Sequence, residues 1–368
     1  MIRFAWIQAR VQTVTATAIL AVMAIVVGVS GAHLVQLYHA TMAGCSTPTE
    51  CSTALHLYMN NDSALRGWLG VLVAAGPAIV GIFWGAPMVA GELETGTFRL
   101  AWTQSVTRNR WLVVKLAVVG LAAMATAGLL SLIVTWWASP LDRARADIFN
   151  TFDERDIVPV GFALFALMLG VAVGLIIRRT LPAMAATLAA FVAARLAVTK
   201  WVRPDLIAPL HKTTPITASS IVGYGTTSSD PLAVLPAFRP ASTIQLASPK
   251  IPNAWIYSTR LVDHSGHGLT ASYLKAACPA VGNDQSSSSG LPSGLGIGSG
   301  SQHTQAPASA QQALHHCGAK LAAVFHEVIT YQPGSRYWDF QWLELAIYTA
   351  GGLALAGMCV WWIRRRPA

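Results

Sequence analysis

Long apolar runs separated by polar segments dominate the pattern of this chain. Six of these runs reach the roughly 20 residues that a helix needs to cross a bilayer. Three charged residues lie within these runs, all near run ends: Lys115, Arg195 and Glu344. Arg195 is expected to snorkel to the interface, or to face a dimer interface or the substrate path. The predicted membrane spans are residues 14–37, 69–90, 112–138, 157–177, 181–198 and 342–363.

The first run has a second interpretation, because Arg3 and Arg10 precede it as they would precede the apolar part of a signal peptide. Its uncharged stretch, residues 11–37, is longer than the roughly 7–15 residues of a signal peptide core. We therefore expect a span. The preceding residues 1–14 repeat apolar positions every three or four residues with polar residues between them, which fits either a short interfacial helix or the basic start of the span.

Composition supports a lipid solvent. The chain has 368 residues, of which 54% are hydrophobic and 11% are charged, whereas soluble domains carry about 25% charged residues. The mean hydropathy of +0.49 points the same way. A large soluble protein built from buried core helices is therefore not expected.

The basic residues are divided unevenly by the predicted spans. With the N-terminus in the cytoplasm, that side holds eleven Lys and Arg residues, and its acids are Glu92 and Glu94. The whole net charge of +9 then lies on one side, as the excess of basic residues in cytoplasmic loops requires. We predict a multi-pass plasma-membrane protein, surrounded by membrane lipid, with both termini cytoplasmic. Its basicity reflects topology and not nucleic-acid binding.

The cysteines follow the same division. Cys45 and Cys51 fall in the first predicted outer loop, Cys278 and Cys317 fall in the last one, and Cys359 lies within a span. Thiols in outer loops meet an oxidising compartment, which permits disulfides. The simplest pairing is Cys45–Cys51 with Cys278–Cys317, although four cysteines allow three pairings and unpaired thiols are the alternative.

Three segments result from this pattern. Residues 1–198 hold the N-terminal helix and five spans, residues 199–341 form a long outer loop, and residues 342–368 hold the last span and an Arg-rich tail. Within the loop, the Ser/Gly-rich residues 285–310 indicate a flexible insertion. Apolar residues at helical spacing then predict an amphipathic helix over residues 314–328.

The segment between the second and third spans has the most distinctive pattern. Residues 85–111 read GAPMVAGELETGTFRLAWTQSVTRNRW. Pro87 is expected to kink or end the span. Two acids and two aromatic residues then follow on an otherwise basic side. This mixture suits contact with a protein partner, and an ordinary solvated loop is the alternative.

This segment resembles the loop of exporter-class (type-2) ABC transporter permeases, whose pattern is G-x-P-x-V-A-x-E-x-E-x-G-T-x-R-x-A-W-T-Q-S-V-T-R. A second similar stretch is YQPGSRYWDFQWLE at residues 331–344, followed by the last span and three arginines at 364–366. The six-span layout and the long loop before the last span extend the likeness over the whole chain.

The resemblance implies an all-α membrane protein with six transmembrane helices, an N-terminal elbow helix, and a large extracytoplasmic loop with re-entrant helices before the last span. It implies that residues 91–110 hold a coupling helix that docks on a separate ATP-binding cassette subunit. It also implies a second permease subunit, identical or different. The residues assigned to the coupling contact are Glu92, Glu94, Phe98, Arg99 and Trp102.

The remaining candidate chemistry is sparse. His264 and His267, and the pair His315 and His316, match no tight zinc spacing, so we predict no metal, no cofactor and no catalytic residue. A secondary transporter is disfavoured, because it would usually carry acids within its spans. A membrane-anchored receptor or scaffold with a ligand-binding outer loop is the alternative of another class. We therefore predict a non-enzymatic permease subunit of an ATP-driven exporter.

Overall fold

The computed structural model describes most of the chain. It covers residues 2–42, 51, 63–95, 108–145, 147–216, 221–225, 243–246, 251–277 and 308–365. Most of the predicted insertion at 285–310 lies outside these residues. Five candidate residues also lie outside them: Cys45, Phe98, Arg99, Trp102 and Cys278.

The first of two compact units consists of Met1–Ala208 with Pro333–Ala368 and is helical. Among the described residues, six segments are long and apolar enough to cross a membrane, which confirms the predicted spans. They are Leu20–Ala40, Gly67–Thr95, Arg110–Ser139, Val158–Ile177, Thr180–Asp205 and Gly334–Arg365. The helices up to the fifth span are α1 (Ile2–Met42), α2 (Ser63–Ile79), α3 (Ala86–Thr95), α4 (Arg108–Arg145), α5 (Val158–Ile177) and α6 (Thr180–Ala197).

The second span is a helix with an irregular middle. A π-helical segment, Val80–Gly85, separates α2 from α3. Pro87 does not end the span, because the helix continues past it to Thr95, and the irregular backbone comes just before the proline. A proline requires such an adjustment, since its ring clashes with the carbonyl four residues earlier and its nitrogen carries no proton.

α5 lies at the centre of this unit and packs against the second span, α4 and α6. Glycines allow its backbone to touch that of the second span. A Cβ on Gly170 would lie 2.3 Å from the carbonyl oxygen of Gly81, and one on Gly85 would lie 2.6 Å from that of Leu167. Small residues permit this close packing of membrane helices, which is a main source of their association.

The second unit, Pro209–Gln332, contains strands as well as helices. The strands are β1 (Leu210–Pro215), β2 (Ile221–Gly225), β3 (Thr243–Leu246), β4 (Trp255–Asp263) and β5 (Phe325–Gln332). An antiparallel sheet has the order β1-β5-β4, and β2 pairs with β3. Two helices, α7 (Ala271–Ala277) and α8 (Ala308–Ala322), accompany them. Leu274 of α7 and Leu321 of α8 share an apolar cluster with Leu261 of β4.

This sheet corrects the prediction of an all-α chain, although the protein is mostly helical. The predicted helix over residues 314–328 exists only as far as Ala322, and Phe325 and Val328 belong to β5. In β5 the side chains of Phe325, Glu327 and Ile329 are buried and the residues between them are half-buried, which is the two-residue period of a strand. The residues directly before the last span therefore form this strand, and the re-entrant helices stay a prediction.

Both terminal helices are longer than predicted. α1 is continuous from Ile2 to Met42, and an interfacial position for its first turns stays a prediction. The last helix, α9 (Tyr337–Arg365), begins before the predicted start at residue 342. It packs along α5.

Candidate functional site

The last turn of α3 carries Glu92 and Glu94, and Glu92 forms an ion pair with Lys115 of α4. The Lys115 ammonium also donates to the Met88 carbonyl at 3.2 Å and lies 5.0 Å from the ring centre of Trp111. Lys115 is buried, so its charge depends on the carboxylate, since a buried charge is costly without a partner. This pair connects α3 to α4.

Glu94 connects the same turn to α6. Its carboxylate accepts hydrogen bonds from the backbone N–H of Thr180, at 2.9 Å, and from the Thr180 hydroxyl, at 2.7 Å. The first N–H groups of a helix have no partner within the helix, and a negative charge there is favoured by the helix dipole. The preceding Arg179 makes no side-chain cap, so Glu94 supplies the cap from another helix.

Both acids therefore act inside the chain, whereas the sequence assigned them to a partner contact or to Arg99. That contact stays a prediction, as do the roles of Phe98, Arg99 and Trp102, which lie outside the described residues. Sequence reasoning missed Lys115 and Thr180 as partners. The available signal was the single cation at the start of an apolar run, because such a charge needs an acid nearby.

A buried charge cluster lies at the opposite end of these helices and consists of Asp153, Arg195, Arg203 and Glu344. The guanidinium of Arg203 forms ion pairs with both Glu344 and Asp153, one of its bonds to Glu344 being 2.9 Å long. The side chain of Glu344 is 0% exposed and that of Arg203 is 9% exposed. Arg203 thus joins the end of the fifth span to the last span and to the 3₁₀ turn Phe149–Glu154.

Arg195 belongs to the same cluster. Its guanidinium lies 3.2 Å from the second carboxylate oxygen of Asp153 and 4.1 Å from the ring centre of Phe162. Its side chain is only 16% exposed. The charge of Arg195 is thus neutralised within the chain, and its position relative to the membrane interface stays a prediction.

A set of side-chain hydrogen bonds fixes the start of α9 beside this cluster. Arg155 donates to the Tyr337 hydroxyl at 3.1 Å, and that hydroxyl donates to Asp156. The Gln341 side chain accepts from the backbone N–H of Val158 at 3.1 Å, at the first turn of α5. These bonds explain how polar residues are accommodated in the first turns of α9.

Glu154 lies on the 3₁₀ turn next to the cluster. Burial raises the pKa of Glu154, and the adjacent Asp153 carboxylate raises it further. The positive charge of Arg195 lowers this pKa, but by less. A carboxyl group with a raised pKa contributes stability at low pH that is lost as the pH rises through that pKa. Glu154 is therefore charged less readily than an ordinary glutamate.

The spanning half of the chain matches a known family. The model described as ABC-2 membrane transporter related covers residues 17–203, just over half of the 368 residues. The chain belongs to this ABC-2 family. This confirms the resemblance found in the sequence. No curated protein and no solved structure matches the chain.

Membership places the chain among multi-pass membrane proteins that normally work with an ATP-binding subunit and are typically not catalytic themselves. The matched region contains both acids of α3 with their partners, and three members of the charge cluster. Glu344, like the motif at residues 331–344, lies beyond it. The charge cluster therefore joins the ABC-2 region to the last span.

The cysteine candidates of this ABC-2 chain are only partly described. Cys359 is a buried free thiol, whereas Cys51 and Cys317 are not free. Cys45 and Cys278, which would complete the predicted pairs, lie outside the described residues. The pairing therefore stays a prediction.

The histidine motif at residues 264–267 forms a turn. The Asp263 carboxylate accepts hydrogen bonds from the backbone N–H of His267 at 2.8 Å and of Ser265 at 2.9 Å, and these lower the pKa of Asp263. Within the described residues, no three His, Cys, Asp or Glu side chains are grouped as a metal site would require.

Proposed function

We propose that this ABC-2 chain is the permease subunit of an ATP-driven exporter, on which a separate ATP-binding cassette subunit docks through residues 91–110. The observation that carries the proposal is the double attachment of the last turn of α3. Residues 96–107 follow directly after this turn and lead into α4. A partner that displaces the segment would therefore act on α3, α4 and α6 together.

The two attachments differ in what they transmit. The Glu92–Lys115 pair is shielded from solvent, with the lysine side chain 9% and the glutamate side chain 19% exposed, so it resists separation. The Glu94–Thr180 contact is an exposed pair of hydrogen bonds, which water can replace at lower cost. Movement of α3 would thus carry α4 along and shift or release α6.

The working unit is proposed to contain a second permease subunit, identical or different, within the plasma membrane and with cytoplasmic termini. Apolar side chains along α6 support a partner or lipid on this face, since Leu181, Leu188, Val192 and Leu196 are exposed. The basic segments of the sequence support the orientation.

Replacing Phe98 and Trp102 together with alanine tests the docking. A buried aromatic anchor is often worth about 2 kcal/mol or more at an interface. We expect the double variant to insert normally but to lose co-purification of the ATP-binding cassette subunit found with the wild-type chain. The control is the pair Trp201→Ala and Trp338→Ala, two exposed aromatic residues at the other end of the spans. It should retain the subunit.

Thr180→Ala separates docking from transmission, because Thr180 lies outside residues 91–110 and its hydroxyl donates to Glu94. This variant should bind the ATP-binding subunit normally, while ATP hydrolysis is no longer altered by the permease, because the contact with α6 is weakened. Normal co-purification by the Phe98/Trp102 variant, or no such subunit with the wild-type chain, would refute the proposed docking. Either result would favour a receptor or scaffold.

A further inference from the structure

An apolar cavity of about 280 Å³ lies among the spans of the first unit, between α1, the second span, α4 and α5. Its walls include Leu20, Val80 and Ala127, which stand near the middle of their helices. At this depth the surrounding solvent of a membrane protein is hydrocarbon. The cavity is separate from both the coupling end and the charge cluster.

The chemistry of the walls restricts what can bind. Apart from the indole of Trp84, the one lining side chain with a polar atom among the described residues is Thr126. Its hydroxyl is already bonded to the Ala122 carbonyl at 2.8 Å. A charged or sugar-like molecule would lose its hydration here without new hydrogen bonds, which costs several kcal/mol. An alkyl chain has no polar groups to leave without hydrogen bonds, so it does not incur this cost.

The irregular second span creates this space. Its π segment presses Gly81 and Gly85 against the backbone of α5, and Pro77 lies one turn earlier on the cavity wall. On that side a Cβ added to Gly76 would meet no atom closer than 3.9 Å, at Leu130 of α4. The span is thus tight on its α5 face and open on the other. π segments are frequent at functional sites.

The cavity opens sideways. Three of its lining residues on the second span are exposed, with Leu72 at 36%, Ile79 at 47% and Phe83 at 56%. These side chains lie at hydrocarbon depth and form an apolar entrance. A molecule already dissolved in the bilayer reaches the cavity without crossing water.

We propose that this cavity binds the alkyl chain of a bilayer amphiphile, which enters laterally and is the class of molecule transported. The proposal rests on the proposed export function for its role, while the binding itself does not need the ATP-binding subunit. Binding from the bilayer depends on packing fit, because hydrocarbon surrounds the chain in both places. It should therefore be saturable, unlike ordinary lipid contact.

The test uses the full chain in lipid nanodiscs and a fatty acid with a photoreactive diazirine on its chain. Labelled residues are mapped by mass spectrometry, with and without excess unlabelled fatty acid. Labelling of residues 72–84 and 126–130 should be competed away. Gly76→Leu fills the cavity and should reduce the competed labelling roughly tenfold, about 1.4 kcal/mol in binding free energy.

Gly357→Leu is the matched control, because its Cβ meets open space on an exposed position of the last span. It should label as the wild-type chain does. Labelling that excess fatty acid does not reduce, or that persists in Gly76→Leu, would mean ordinary surrounding lipid and overturn the proposal. Photocrosslinks that join two copies of the chain at residues 72–84 would also overturn the proposal, because they would show that a second subunit covers the cavity.

Co-purification of the ATP-binding subunit is measured in the same samples. Loss of saturable labelling with normal co-purification would remove the cavity proposal alone. Saturable labelling in a chain that binds no ATP-binding subunit would refute the export proposal and leave fatty-acid binding in the cavity intact. A melting temperature equal to that of the wild-type chain confirms that Gly76→Leu is folded.

Discussion

Glu344→Gln is the most informative single change to the buried charge cluster. It leaves a side chain of nearly equal size but removes one of the two carboxylates that neutralise Arg203. Breaking a buried ion pair on one side costs about 3–5 kcal/mol. We expect the free energy of unfolding to fall by the lower limit, about 3 kcal/mol, because Asp153 still faces Arg203. The amide oxygen of the new glutamine can also accept one hydrogen bond from Arg203.

Cys359 provides the readout for this prediction. Its thiol is free and buried, so a maleimide dye that fluoresces on reaction should report the unfolding of the spans. In chains of 150–250 residues each kcal/mol shifts the melting temperature by about 2–4 °C, which gives a decrease of about 6–12 °C. Unfolding in detergent is compared at one heating rate, since it is often irreversible.

Two further variants serve as controls for Glu344→Gln. Asp339→Asn makes the same chemical change on an exposed position of the same helix, and it should shift stability by less than about 0.5 kcal/mol. The double variant Arg203→Met with Glu344→Leu should recover most of the loss, because apolar pairs often replace buried ion pairs without cost. A Glu344→Gln variant that melts with the wild-type chain would refute the structural role of the cluster.

Two other predictions concern packing and topology. Gly170→Ala should lower the free energy of unfolding by about 1–3 kcal/mol, as overpacking does, because its methyl group would meet the backbone of Gly81 and Ala86. Gly28→Ala is the control, since a Cβ there meets nothing within 4 Å. Equal melting temperatures of the two variants would contradict the contact. A membrane-impermeant thiol reagent should label a cysteine placed at residue 295 from outside but not one placed at Arg108, and the opposite pattern would reverse the proposed orientation.

The six spans could be predicted because their signal is length and composition, which are local properties. Their ends could not. The second span was expected to end at residue 90, since Glu92 and Glu94 look like loop residues, but their partners Lys115 and Thr180 keep them in the helix. The start of the last span was missed for the same reason, because Gln341 is bonded to the backbone of α5. Polar helix ends depend on distant residues.

The strand β5 was missed for a different reason. Phe325 and Val328 continue a helical spacing begun by Leu314, and this longer period masked the two-residue alternation around Ile329. The β-branched run of Val328, Ile329 and Thr330 was the available signal for a strand. The sheet itself depends on pairing with β1 and β4, which are distant in sequence.

The distribution of these contacts limits how the spans can move. The second span touches α5 through backbone atoms at Gly81 and Gly85, where any displacement would open a void. Glu94 instead holds α6 by an exposed contact that water can replace. Because the middle is rigid and the contact with α6 is exchangeable, displacement of α3 would pivot about the π segment. It would carry α4 along through the Glu92–Lys115 pair and shift or release α6. The cavity lies on the open face of that same segment, so its width should follow the pivot.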